Sequence, residues 1–326
     1  MNLARRLNYY RRIFPAYLGR RNSHLTFWHD APDINHRFAP RSLGEYYMPF
    51  LEKADYAGPF DHQGVPLLDY RGSLGRQYNP IAIAQFGLGN FNLFCRTGQE
   101  QRRSKFLLAA DWLVANLEMN REGLRVWNHH FDWEYRTMLR APWQSALAQS
   151  QGISVLVRAF DETGDGVYLE AAEVAFEAMR KETSEGGMVH VDETGDLWLE
   201  EYIVSPPTHI LNGFIWATWG VYDYWLATGD EAARQLFAAT VGTLLRNLEK
   251  YDAGFWSLYE LAGTRLKMLA SSFYHRLHIA QLGVLHRLTG EELFGQYAGK
   301  WEAYRRNFLK RNAALAYKSV FKLLYY

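Results

Sequence analysis

The chain has 326 residues, 48% of them hydrophobic, which is ample for a large core. Its formal net charge of +1 excludes a strongly basic nucleic-acid binder on bulk grounds. Cys95 is the only cysteine, so no disulfide framework and no cysteine-based metal site can form within the chain.

Residues 1–60 read as an irregular, basic N-terminal extension, punctuated by Pro15, Pro32, Pro40, Pro49 and Pro59, ahead of a helical unit over 61–326. Arg5, Arg6, Arg11, Arg12, Arg20 and Arg21 interleave there with Tyr9, Tyr10, Ile13 and Phe14. At the other end Arg305, Arg306, Lys310, Arg311, Lys318 and Lys322 interleave with Phe308, Leu309 and Phe321. The ordinary reading of both ends is a solvated helix face. The sharper one is attraction to an anionic membrane surface or polymer, and the C-terminal stretch also suits packing against a second subunit as a homodimer. No apolar signal core follows Met1-Asn2-Leu3-Ala4-Arg5-Arg6 and no run of about 18 apolar residues occurs, so a cytoplasmic protein, peripheral to the membrane at most, is expected.

Helical spacing then predicts four pairs of helices: 80–96 with 100–117, 145–162 with 168–180, 208–227 with 231–248, and 272–288 with 291–309. Each pair is joined by the same word: Thr97-Gly98-Gln99-Glu100, Thr163-Gly164-Asp165, Thr228-Gly229-Asp230-Glu231 and Thr289-Gly290-Glu291-Glu292. A glycine just past a helix takes the left-handed conformation that closes its last turn, and an acidic residue after it suits the next N-cap. A repeat of helical hairpins at near-constant intervals makes a single curved or closed layer. Its tight turns fall at one end and its long connections at the other. Three of those connections have strand character. Residues 124–135 and 188–204 alternate, the second bending at Thr194-Gly195-Asp196 like a β-hairpin, and 253–269 carries Phe255, Trp256 and Tyr259. Chemistry is expected at that end.

Reactive side chains concentrate there. One connection ends Asp196-Leu197-Trp198-Leu199-Glu200-Glu201-Tyr202; another carries Ser257-Leu258-Tyr259-Glu260 and Arg265; the last hairpin opens Ser271-Ser272-Phe273-Tyr274-His275-Arg276-Leu277-His278. Neighbouring carboxylates, phenols and cations suit proton transfer beside an anionic group, provided packing raises a carboxylate's pKa and lowers a phenol's. The high aromatic content, 16%, fits a carbohydrate groove as well as ordinary core filling. Other patterns carry less. His129-His130 are adjacent and lack a second ligand pair, and His275 with His278, at i, i+3, have no carboxylate at matching spacing, so no metal site is expected. Gly87-Leu88-Gly89 follows no strand, and Ser205 and Ser257 show no His-Asp partners.

Six words appear in a telling order: Gly64-Val65-Pro66-Leu67, Tyr78-Asn79-Pro80-Ile81-Ala82-Ile83-Ala84-Gln85-Phe86-Gly87-Leu88, Trp143-Gln144-Ser145-Ala146-Leu147-Ala148-Gln149-Ser150-Gln151-Gly152-Ile153, Glu200-Glu201-Tyr202, Leu211-Asn212-Gly213-Phe214 and Tyr274-His275. From about residue 61 to about 306 the chain resembles the catalytic helical domain of the D-glucuronyl C5-epimerases, which act on heparosan in heparan sulfate synthesis. The resemblance implies a mainly α fold, an α/α toroid (an incomplete barrel) of about four helical hairpins with short β-hairpins in the long connections. It implies conversion of D-glucuronate to L-iduronate units within an anionic polysaccharide, without a cofactor. By position, the acid–base pair is Glu201 and Tyr274, with Tyr202 and Tyr259 as further active-site tyrosines. Tyr78, Asn79, Trp143, Gln144 and Asn212 would shape the groove. His275, His278, Arg265 and Arg276 would bind the anionic unit, and Glu200 is the fallback base. A regular strand would turn Glu201 and Tyr202 to opposite faces, so the strand must end or bulge before them.

The chain departs from the family where its arginine, three residues beyond the tyrosine matched by Tyr259, is replaced by Ala262. Arg265 or Arg276 is the expected substitute. Three other activities remain open on the sequence: a uronate lyase sharing the first proton removal, a glycoside hydrolase pairing Glu201 with Asp132 or Glu260, and a glycan-binding scaffold without turnover.

Overall fold

The computed structural model describes residues 31–325 except Arg71, so the arginine- and tyrosine-rich stretch at 5–21 lies outside the described residues. A short helix, α1 (Leu51–Ala54), precedes four helical hairpins: α2 (Pro80–Thr97) with α3 (Glu100–Ala115), α4 (Ala146–Thr163) with α5 (Gly166–Arg180), α6 (Leu211–Thr228) with α7 (Glu231–Asn247), and α8 (Ser272–Thr289) with α9 (Glu292–Arg306). The hairpins form an α/α toroid. The first helix of each packs on the first helix of the next, making an inner layer of α2, α4, α6 and α8.

Composition explains this sorting. Three of the inner helices are buried nearly all round along most of their length, α2 from Pro80 to Asn92, α4 from Ala146 to Ala159 and α6 from Leu211 to Tyr224. The outer α3 buries only Phe106, Ala109, Ala110 and Leu113, a narrow stripe with charged residues elsewhere. At the α4–α6 contact Gly220 is required, because a Cβ there would stand 2.6 Å from the Cα of Ser150.

The repeated turn word closes each hairpin in one way. The threonine hydroxyl donates to the carbonyl four residues back, as Thr163 does to Ala159 (2.6 Å) and Thr228 to Tyr224 (2.8 Å). It also accepts from the amide two residues on, from Asp165 and Asp230 at 3.1 Å in both cases. The intervening glycines are left-handed, with φ of 65°, 72°, 68° and 75° in the four copies. Asp165 and Asp230 then cap the next helix through their carboxylates.

The long connections form two-stranded antiparallel pieces: β1 (Leu68–Asp69) with β2 (Arg76–Gln77), β3 (Glu118–Met119) with β4 (Arg125–Val126), β5 (Trp133–Glu134) with β6 (Met138–Leu139), and β7 (Val189–Val191) with β8 (Leu197–Leu199). The hairpin bend at Thr194-Gly195-Asp196 is present, with Gly195 at φ 81°. Residues 124–135 are not one strand; they are shared between two such pieces. The strand character of 253–269 is limited, among the described residues, to the bridges Asp252–Ser257 and Leu258–Leu269.

The last predicted helix, 291–309, also differs: it breaks at Asn307, and α10 (Phe308–Tyr325) follows. One face of α10 lies on the toroid, with Phe321 in a cluster with Tyr135, Ile210 and Tyr259, and Lys318 Nζ donating to the Leu269 carbonyl at 2.6 Å. Ahead of the toroid, residues 35–54 pack into the same core. Tyr46, Tyr47 and Phe50 are buried, and the Tyr47 hydroxyl donates to Asp223 at 2.5 Å. Asp223 also pairs with Arg158 (2.7 Å), both side chains wholly buried, tying α4 to α6.

Candidate active site

Strand β8 ends at Leu199, so Glu200, Glu201 and Tyr202 lie in irregular chain rather than in a pleat. That release lets Glu201 and Tyr202 share one cavity wall while Glu200 turns away. The cavity encloses about 970 Å³ including its open mouth. Its lining comes from the segment ahead of the toroid, from the long connections and from the first turns of the inner helices, at the end of the toroid opposite the Thr-Gly turns. Asn79 caps α2, accepting from the amides of Ile81 and Ala82, and its side-chain NH₂ donates to the Tyr70 hydroxyl at 2.7 Å. Trp143 stacks on His129, with centroids 3.8 Å apart and planes at 4°. Tyr274 enters from the first turn of α8, whose N-cap Ser271 accepts the Tyr274 amide.

Glu201 is 5% exposed. Burial pushes its carboxyl up to about 8, against smaller opposing pulls from hydrogen bonds with Asn212 and Tyr202; Glu200 and Glu260 add repulsion. The Asn212 side chain donates to Glu201 Oε2 at 3.1 Å. The adjacent Gly213 makes room for the acid, since a Cβ there would lie 2.5 Å from the Cβ of Glu201. A carboxyl held near neutrality, beside a cavity and positioned by an amide, is suited to taking up and returning a proton.

The phenols divide. Tyr202 lines the cavity and Tyr259 stands behind Tyr274, ring edge to face at 4.9 Å. The expected lowering of phenol pKa does not occur for these two. Burial first, and then the neighbouring Glu201 charge, hold Tyr202 and Tyr259 well above 10, so both keep their protons, and Tyr202 is hydrogen-bonded to Glu201. Tyr274 is the third phenol of the group and faces the cavity.

Several residues singled out in the sequence lie elsewhere. Glu200 accepts from His209 Nδ1 at 2.5 Å and is not on the wall. Tyr78 donates to Asp61 at 2.8 Å, its ring beside Trp112. Gln144 donates to the Gly186 carbonyl at 2.5 Å. Arg265 and Arg276 are exposed and outside the lining. His275 and His278 are buried round Ser257: its hydroxyl donates to His275 Nδ1 at 2.8 Å and accepts from His278 Nδ1 at 3.0 Å, while His275 Nε2 donates to the Trp301 carbonyl at 3.0 Å. Burial lowers His275 to about 4, and the network holds α8 to the preceding loop rather than facing a ligand. Ser257 thus does have histidine partners, invisible in the sequence because it lies 18 and 21 residues from them. Glu260 is locked by Tyr135 and Arg136, and Asp132 is bound by Arg140, so neither carboxylate joins Glu201 on the cavity wall.

Conversely, sequence reading missed Tyr70, Gln85, His129, Phe131, Trp133 and Trp216, all on the wall. The segment before residue 61 also contributes, through Met48, Phe50 and Lys53. Gln85 and Trp216 lie within α2 and α6, where nothing in the sequence marks them out from core residues.

Geometry alone defines the class: an α/α toroid with an acid-and-phenol cavity at its long-loop end. Residues 121–303 match the family model described as D-glucuronyl C5-epimerase C-terminus, more than half of the chain, and the protein belongs to this family. It is 34% identical over 221 residues to the D-glucuronyl C5-epimerase of Caenorhabditis elegans, covering 63% of this chain and 36% of that protein. It is 30% identical over 195 residues to an uncharacterized protein of Methanocaldococcus jannaschii, covering 59% and 62%. The chain therefore spans about a third and somewhat under two thirds, respectively, of these relatives. Among solved structures, cellobiose 2-epimerase from Spirochaeta thermophila has a TM-score of 0.51 over 91% of this chain and 70% of that one, at 14% identity, a likeness of fold alone. Among the described residues no helix is long and apolar enough to cross a membrane.

Proposed function

We propose that the protein is a carbohydrate C5-epimerase converting D-glucuronate to L-iduronate units within an anionic polysaccharide. The observation that carries this reading is the placement of Glu201, with a carboxyl poised near 8, on the same aromatic-walled cavity as Tyr274. One of the two breaks the C5–H bond and takes the proton; the electron pair left behind spreads into the uronate carboxylate. The other returns a proton to C5 from the opposite ring face. Tyr202, protonated and beside Glu201, donates to the developing oxyanion, and water excluded by the aromatic wall strengthens that interaction. Asn212 orients Glu201 throughout.

Incubation with a glucuronate polymer in heavy water tests this. Deuterium at C5 with intact chains is the expected result. Unsaturated chain ends would identify a lyase instead, new reducing ends without unsaturation a hydrolase, and unaltered polymer a binding scaffold.

A further inference from the structure

Four buried polar atoms of the cavity lining have no hydrogen-bond partner among the described residues: Gln85 Oε1, His129 Nε2, Asn212 Oδ1 and Trp216 Nε1. All four residues are more than nine-tenths buried. A buried polar atom without a partner is unfavourable, and nearly all such atoms are paired, so four round one cavity define the ligand that completes them. Three are acceptors and the fourth, the indole N–H, is a donor. A carboxylate offers acceptors alone, whereas a hydroxyl offers a hydrogen and lone pairs together. The complementary chemistry is a ring bearing free hydroxyls.

His129 is the most sharply defined of the four, because its surroundings fix its protonation. Its Nδ1 lies 3.3 Å from the Trp143 carbonyl, which can only accept, so Nδ1 carries the hydrogen. Burial lowers the ring to about 3, so the imidazole is neutral and Nε2 is a bare lone pair. The stack on Trp143 sets the plane of the ring, and the two residues exchange backbone bonds of 2.7 and 3.2 Å. Trp143 in turn meets Tyr202 edge to face at 5.7 Å, so His129 stands one ring away from the phenol bonded to Glu201.

We propose that His129 is a substrate-binding residue: Nε2 accepts a hydrogen bond from a ring hydroxyl of the glucuronate unit seated beside Glu201. The proposal rests on the uronate reading above and adds to it recognition of the hydroxyl face of the ring, separate from its carboxylate.

The test uses the full chain, its His129→Phe variant and three probes: a heparosan tetrasaccharide and the same compound deoxygenated at C2 or at C3 of its reacting glucuronate. Binding is read by calorimetry and turnover by deuterium entry at C5. His129→Phe keeps a flat ring against Trp143, whose carbonyl retains its bond from the backbone amide of that position. The wild type is expected to bind one deoxy probe about tenfold more weakly than the parent, and His129→Phe to bind the parent about tenfold more weakly. On the variant that deoxy probe should lose nothing further. In protein carrying nitrogen-15 histidine, the His129 Nε2 resonance should move upfield with the parent and stay in place with that deoxy probe. A merely structural histidine would weaken parent and deoxy probes alike, and that result overturns the proposal. Equal wild-type binding of all three probes, or an unmoved resonance, overturns it too, and both are read without the variant. If the coupling is present but no deuterium enters, the pairing stands and the epimerase reading falls; deuterium entry without coupling gives the reverse. If the wild type binds no probe, both fall.

Discussion

Glu201 pits function against stability in one side chain. Its carboxyl titrates near 8 in the folded protein against an ordinary 4.5, so between those pH values folding takes up a proton. Stability therefore falls as pH rises through that window and levels off above about 8. Glu201→Gln removes the slope. The variant is expected to gain, relative to the wild type, on the order of a few kcal/mol at pH 8 and little at pH 4. Melting temperatures at the two pH values check this, and a difference that does not widen with pH would contradict the raised pKa. In turnover the same variant should lose at least about a hundredfold, as should Tyr274→Phe, the usual scale for a general acid or base. Near-normal deuterium exchange by Tyr274→Phe would remove that phenol from the mechanism. Gly213 offers a subtler probe. Gly213→Ala puts a methyl against the Glu201 side chain and should cut exchange about tenfold or more by misplacing the acid, while leaving Tyr274 untouched. Comparing its rate with that of Glu201→Gln gives the share of the effect due to position.

At the scale of elements, the Thr-Gly turn is the unit that repeats. Its physics is local: one hydroxyl serving two backbone groups, one left-handed glycine and one cap. Thr228→Val and Asp230→Ala are each expected to cost about 1 kcal/mol in urea unfolding without changing turnover, because this turn lies at the end of the toroid remote from the cavity. An effect on turnover would mean the two ends are coupled. The helices were legible because the outer members carry a periodic apolar stripe and the inner ones long runs of apolar and small residues between the Thr-Gly turns, and their limits emerged within a few residues of expectation. The exception was the last, where Phe308 and Leu309 prolong the apolar pattern across Asn307 and hide the break before α10. Strands were less legible. Pieces of two or three residues are too short to show a period, and their pairing is decided by what they pack against.

At the scale of the whole molecule, the Arg158–Asp223 pair fastens α4, α6 and the segment before the toroid together. Arg158 Nε also donates to the Gly44 carbonyl at 3.1 Å, and Tyr47 shares Asp223. Asp223→Ala leaves a buried guanidinium without its counter-charge and should cost about 3–5 kcal/mol, measured by urea denaturation. Combining it with Arg158→Leu should recover part of that loss; no recovery would show that Asp223 acts chiefly through Tyr47. The same segment delivers Met48, Phe50 and Lys53 to the cavity, so loosening it is expected to affect the site as well as the core.

The sequence by itself determined the four hairpins, the end at which the cavity lies, and that Glu201, Tyr202 and Tyr274 come together there. These follow from local periodicity, turn chemistry and an ordered set of short words, all of which are written along the chain. Only the tertiary structure decided that Glu200 turns to His209, that His275 and His278 enclose Ser257, that Tyr78, Gln144, Arg265 and Arg276 stand outside the cavity, and that Lys53 stands on its wall. Each of these depends on which distant segment fills the space beside a side chain, and burial of that kind has no signature within the few residues around it.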